Sequence, residues 1–184
     1  MRTQRLFAYA FAVCLVSLLA GPVMGDVGSG NFNAFLQGKY QISATLTCST
    51  GPTVESIGSD PTTFITLAGV ITYDGRGHAT VIDQGVDIGT GSPDRFDEVC
   101  KYEYEVARDG SFGQKGSCTG AGGSYFLSGI KERGQIGVGG SVLITNWIGT
   151  DVETLVVPAP PAVPEFTQYR ICGGVSTAVR INPH

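Results

Sequence analysis

Histidine is nearly missing from this chain, with His78 and His184 its only two. One stands beside a turn signal and the other at the terminus, so neither a Ser-His-Asp arrangement nor a histidine-based metal site is expected. A Gly-x-Ser-x-Gly elbow, a phosphate-cradling glycine loop, a CxxC pair and zinc-type ligand spacing are also absent. Asp74-Gly75 lacks the spaced oxygen donors of a calcium loop and reads as a turn. No metal and no cofactor is therefore expected. Cationic charge is scarce too: all 16 acidic residues lie beyond position 25, whereas Arg2 and Arg5 of the 12 basic ones precede it. That balance makes nucleic acid and anionic membrane poor partners. Helical periodicity of useful length is missing after the first two dozen residues, and the 27 glycines suit turns and bends rather than helices.

What the chain does have begins with a leader. Arg2 and Arg5 precede an apolar run from Leu6 to Ala20 and small residues around Val23-Met24-Gly25, the three parts of a signal peptide over residues 1–25. The run is shorter than the ~20 residues of a spanning helix, although a membrane anchor is the alternative reading. Cys14 lies inside the run rather than after it and is expected to leave with the leader. Residues 26–35 then form a flexible segment and residues 36–184 one domain of ordinary size. The expected destination is secreted or periplasmic.

Four cysteines remain, and export makes disulfides plausible. Cys100 and Cys118 stand at mirror positions about the turn Arg108-Asp109-Gly110. If that turn closes on Ala107 and Ser111, the two side chains meet on one face of a hairpin. The same register sets Glu103 against Lys115 on the outside and Tyr102 over Gly116 and Tyr104 against Gln114 on the inside. The remaining pair, Cys48 and Cys172, lies near the two ends of the domain and would staple the seam of a closed sheet.

Alternation from Lys39 to Cys48 puts Tyr40, Ile42, Ala44, Leu46 and Cys48 on one face of a half-buried strand. Thr62 to Tyr73 and His78 to Val86 follow as strands about Asp74-Gly75-Arg76-Gly77, with loops at Ser49 to Pro61 and Asp87 to Asp97. Ser124 to Ile130 and Gly134 to Thr145 read as strands joined around Lys131-Glu132-Arg133-Gly134, with a bend at Gly137, Gly139 and Gly140. Asp151 to Val157 is a short strand. Pro158 to Pro164 is expected to run extended across the surface. Phe166 to Cys172 and Val175 to Ile181 are strands interrupted by Gly173-Gly174. Eight or nine strands define an all-β domain. An antiparallel up-and-down eight-stranded β-barrel is the expectation, and a β-sandwich the alternative.

The segments Leu36-Gln37-Gly38-Lys39-Tyr40 and Gly69-Val70-Ile71-Thr72-Tyr73-Asp74-Gly75-Arg76-Gly77-His78-Ala79-Thr80 resemble bacterial exported barrels described as calycin-like or allene-oxide-cyclase-barrel-like. Gly38-Lys39-Tyr40 is also similar to the lipocalin Gly-x-Trp, with tyrosine in place of tryptophan. That resemblance implies an arginine from the last strand over the Tyr40 ring, for which Arg170 and Arg180 are the matches. It also implies either a carrier of apolar molecules or a cyclase or dirigent-type protein.

An eight-stranded barrel holds packed side chains or one small ligand. The expected lining is Tyr40, Ile42, Leu46, Tyr102, Tyr104, Phe112 and Arg170, and the expected role is non-catalytic binding of a small apolar or aromatic molecule. Arg170 shares the face of Cys172 and either closes the barrel or offers a donor to an anionic head group. A cyclase-like alternative uses Asp83, which would act as an acid or base if buried. Asp97-Glu98, Glu103 and Glu105 read as solvated, and His78 as an exposed turn residue. A third alternative is a solid barrel that contacts envelope or host proteins through its outer face and loops.

Overall fold

The computed structural model describes residues 32–89, 93–159 and 165–181; the expected leader and most of the proline segment lie outside them. Eight strands follow in chain order: β1 (Gln37–Gly51), β2 (Thr63–Asp74), β3 (His78–Ile88), β4 (Asp94–Val106), β5 (Ser111–Gly120), β6 (Phe126–Ile136), β7 (Val142–Val157) and β8 (Phe166–Arg180). Each pairs antiparallel with the next, and β8 returns to β1, so the sheet is a closed barrel. Closure excludes the sandwich. Within the described residues no helix is long and apolar enough to cross a membrane.

The two disulfides join directly opposed residues, Cys100 with Cys118 on β4–β5 and Cys48 with Cys172 across the β1–β8 seam. They point to a non-reducing, extracellular-type environment. The β4–β5 turn closes on Ala107 and Ser111, whose N–H···O distance is 2.8 Å, and Glu103 faces Lys115 while Tyr102 faces Gly116. The expected register is the observed one.

Three expectations are corrected. The 131–134 stretch is not a turn but the middle of β6, because Gly129, at φ +83°, is an extra residue between the pairs Gly116/Ile130 and Ser117/Ser128. Such a bulge reverses the alternation, so Ile130 and Glu132 point inward after Leu127. The β6–β7 turn instead falls at Val138–Gly140. Gly173-Gly174 does not split the last strand: Gly174 opposes Leu46, whose side chain fills the space a Cβ would need. The polar loop at Asp87–Asp97 is shorter than expected, since β3 and β4 continue pairing to Asp87 and Asp94. Arg95 and Asp97 occupy outward positions, which tolerate polarity in a strand, whereas Asp87 and Asp94 share the inward parity of Asp83 and Glu98 and line the open end of the barrel.

The two ends differ. At one, tight turns join β2–β3, β4–β5 and β6–β7, and Asp74 Oδ1 accepts from the N–H of Arg76 (2.7 Å) and His78 (3.0 Å). A 3-10 turn, Phe32–Phe35, plugs this end at the close of the segment expected to be flexible. Asn33 Oδ1 accepts from the Val106 N–H at 2.9 Å, and the Tyr104 hydroxyl donates to Leu36 O at 2.9 Å. At the other end the connections are longer, and Leu46, Cys48, Ile65 and Cys172 pack with Leu67, Phe96 and Trp147.

Candidate functional site

The closed end is aromatic. Tyr40, Tyr73 and Tyr104 stack edge to face at 5.5 and 5.0 Å, within the range where such pairs add to burial. Arg180, not Arg170, covers Tyr40, with its guanidinium 5.3 Å from the ring centroid and Nη2 donating to the hydroxyl at 2.7 Å. The Tyr40 hydroxyl in turn donates to Gly140 O at 2.7 Å. Tyr40 and Tyr104 are thus committed to the closed end, Phe112 packs over Gly134, and none of the three lines the interior cavity.

Ile42, Leu46, Tyr102 and Arg170 do line that cavity, a space of ≈ 50 Å³. A cavity holds a water once it offers roughly 10–15 Å³, so it admits a few waters or one polar head group. Its wall is largely apolar, and four acids that were not expected there together, Asp83, Glu98, Glu132 and Glu153, project into it beside Arg170. Asp83 from β3 and Glu98 from β4 are directly opposed, and Gly69 of β2 leaves the space that the Asp83 side chain occupies. The structure places Asp83 inward at 7% exposure. Glu98, expected to be solvated, is buried because it shares the parity of Cys100 and Tyr102. Glu103 and Glu105 point outward as expected, with Lys115 Nζ 3.1 Å from Glu103.

Each acid has a distinct setting. Arg170 Nε donates to Glu153 Oε2 at 2.7 Å, an ion pair almost out of solvent. Glu98 accepts from the Tyr125 hydroxyl at 2.6 Å. Glu132 accepts from Thr145 Oγ1 at 2.8 Å, and Gln114 and Tyr102 also hydrogen-bond to it. Gln114 accepts in turn from the Tyr73 hydroxyl at 3.0 Å. Asp83 Oδ1 is buried without a hydrogen-bond partner.

Burial disfavours charge, so these carboxyls hold their protons longer than usual. Burial, opposed by hydrogen bonds from Thr145, Gln114 and Tyr102, pushes Glu132 up to about 7. Burial first, and the neighbouring Glu98 second, push Asp83 up to about 8. Glu98 is also raised by burial, against the lowering effect of the Tyr125 hydroxyl. The Asp83–Glu98 pair therefore retains a proton at neutral pH.

Beyond this cavity, at the end with long connections, lies a mouth pocket of ≈ 400 Å³, within the usual range for small-molecule sites. Leu46, Leu67, Glu98, Leu127 and Arg170 line both spaces, so the mouth leads to the acids. Ile65, Phe96, Leu155, Val157 and Tyr125 extend its apolar and aromatic wall, and Asp87, Asp94, Arg95 and Asp97 add charge to its rim. The Phe96 ring lies over Gly85, its cross-strand partner, which fixes the ring at the rim.

Glu98, Cys100 and Cys118 also crowd together, but the sulfurs are bonded to each other and offer no thiolate to a metal. On the outside, Val70, Ile82 and Val99 form one cross-strand row, Ile82 being 66% exposed. His78 lies on the surface 3.4 Å from Asp74.

Fold and site together define a disulfide-stapled closed barrel with an aromatic plug, a lumen that carries four acids and one arginine, and a mouth with an apolar wall and a charged rim. No family model, curated protein or solved structure matches the chain.

Proposed function

We propose that this is an exported barrel, secreted or periplasmic, that binds a small molecule with an apolar body through its mouth without transforming it. The observation that carries this reading is the mouth pocket, whose apolar residues Leu46, Ile65, Leu67, Phe96, Leu155 and Val157 lead to polar groups in the lumen. Such a combination fixes both the burial and the orientation of a ligand. The stacking of Arg180 on Tyr40 across the seam supports kinship with calycin-like barrels. The test is native mass spectrometry of the purified protein together with thermal shifts across a panel of apolar and aromatic compounds. Bound cargo or a raised Tm is expected. Leu155→Trp, which fills the mouth, is expected to remove the shift while the protein stays folded.

A cyclase-like enzyme is the second reading, favoured by an inward Asp83, paired with Glu98 about a retained proton, in a lumen that also contains Tyr102. It requires that the bound compound be recovered chemically altered, and that Asp83→Asn abolish the change. The outer row of Val70, Ile82 and Val99 supports a protein contact instead. Ile82→Lys would then remove a partner without affecting the mouth.

A further inference from the structure

We infer that the ligand is an amine, its protonated ammonium group seated in the lumen beside Asp83 Oδ1 and its apolar body in the mouth. This rests on the binding reading above and names the class of molecule bound. Among the described residues the cavity is lined by Asp83, Glu98, Glu132 and Glu153 with Arg170 as their sole cation. Arg170 is already engaged by Glu153 at 2.7 Å, so an anionic head group would have to displace an existing carboxylate. Glu98 and Glu132 have donors in Tyr125 and Thr145. Asp83 shares a side-chain hydrogen bond with Glu98, yet its Oδ1, in a residue 7% exposed, has no partner, and among the described residues the other such oxygen is Asp87 Oδ1 at the mouth.

A buried acceptor with no donor is unfavourable, and hydrogen bonds involving an ion are the strongest available remedy. An ammonium group brings three donors and a positive charge into a space whose charged side chains are four acids and one arginine. A hydroxyl brings one donor and no charge, and a carboxylate adds repulsion. The cavity of ≈ 50 Å³ has room for such a head group, and the mouth of ≈ 400 Å³ for a ring or short chain. A cation in the lumen favours ionised carboxyls, so Asp83 and Glu132 release protons to solvent when it binds, while the ammonium keeps its own.

Isothermal titration calorimetry with 2-phenylethylamine, 2-phenylethanol and phenylacetate, near neutral pH in two buffers of different ionisation enthalpy, tests the inference. The amine is expected to bind at least about ten-fold tighter than the alcohol, a difference of ~1.4 kcal/mol, with net proton release. Phenylacetate is expected not to bind. Asp83→Asn keeps the shape of the neutral acid and should weaken the amine by about ten-fold or more while sparing the alcohol. Glu132→Gln should reduce proton release and provides a second folded variant. Equal affinity for amine and alcohol overturns the inference but leaves the binding pocket intact. Preference for phenylacetate overturns it in favour of Arg170 as the anchor. Binding by none of the three overturns both the inference and the reading on which it rests.

Discussion

Asp83 governs how the molecule responds to pH. Its carboxyl titrates near 3.9 in an unfolded chain and is pushed up to about 8 in the barrel. Between those values the folded state holds a proton that the unfolded chain has lost, so stability falls as pH rises. Glu132, pushed up to about 7, and Glu98, also raised, act in the same direction. The slope is at most ~1.4 kcal/mol per pH unit for each group. The other ionisable groups lining the cavity are Glu153, Arg170, Tyr73 and Tyr102, with Tyr125, Asp87, Asp94, Arg95 and Asp97 at the mouth, where burial raises Asp87 in the same sense. Asp74 and Asp109, held low by hydrogen bonds within their turns, matter only below about pH 4, where their stabilisation is lost as pH falls. Melting curves should therefore show Tm declining from about pH 5 to about pH 9, and Asp83→Asn should flatten the decline. Arg170 makes a different prediction. Arg170→Leu leaves Glu153, 2% exposed, without its counter-charge, and should cost about 3–5 kcal/mol in urea unfolding. The double change Arg170→Leu with Glu153→Leu should recover much of that loss, because a buried pair is weakly stabilising relative to apolar packing.

At the scale of single strands, β6 shows how one glycine redirects a functional side chain. Gly129 sits at positive φ with Val152 O against the position of a missing Cβ, and the alternation reverses across it. Gly129→Val should destabilise by more than about 1 kcal/mol from backbone strain alone, measured by denaturant titration. The same glycine explains why Glu132 was hidden from sequence reasoning. Period-two counting from Leu127 puts Glu132 outside, and its charged neighbours Lys131 and Arg133 imitate a turn. The signal was there in Leu127, Gly129 and Ile130, whose apolar spacing fits a strand only if a residue is extra. The β4–β5 hairpin was legible almost atom for atom, because turn closure, cysteine pairing and the Glu103–Lys115 match all select one register. Glu98 was legible from parity with Cys100 but was read as surface charge, since sequence alternation does not say which carboxylates a lumen will shelter. The plug was not legible: Asn33 acts through contacts some seventy residues away, which no local pattern encodes.

For the molecule as a whole, closure depends on two covalent links of different reach. Cys48 and Cys172 enclose a sequence separation of 124, and Cys100 and Cys118 one of 18. In the chain-entropy account these correspond to about 5 and about 3 kcal/mol. Replacing Cys48 and Cys172 by serine should therefore lower Tm more than replacing Cys100 and Cys118, and a reductant should lower it in the parent protein. Mouth and plug make the barrel directional, so the proposed ligand would enter and leave at the end with long connections.

The spacing of the cysteines also orders events during synthesis. The β4–β5 hairpin is complete long before β8 leaves the ribosome, and hairpins form in microseconds. Cys100 and Cys118 can thus take each other while Cys172 does not yet exist. Once they are joined, Cys48 has one partner left among the four cysteines of the barrel. Hairpin closure, which holds Cys118 beside Cys100 across a separation of 18, is what competes against capture of either by Cys48 before the last strand arrives to shut the seam.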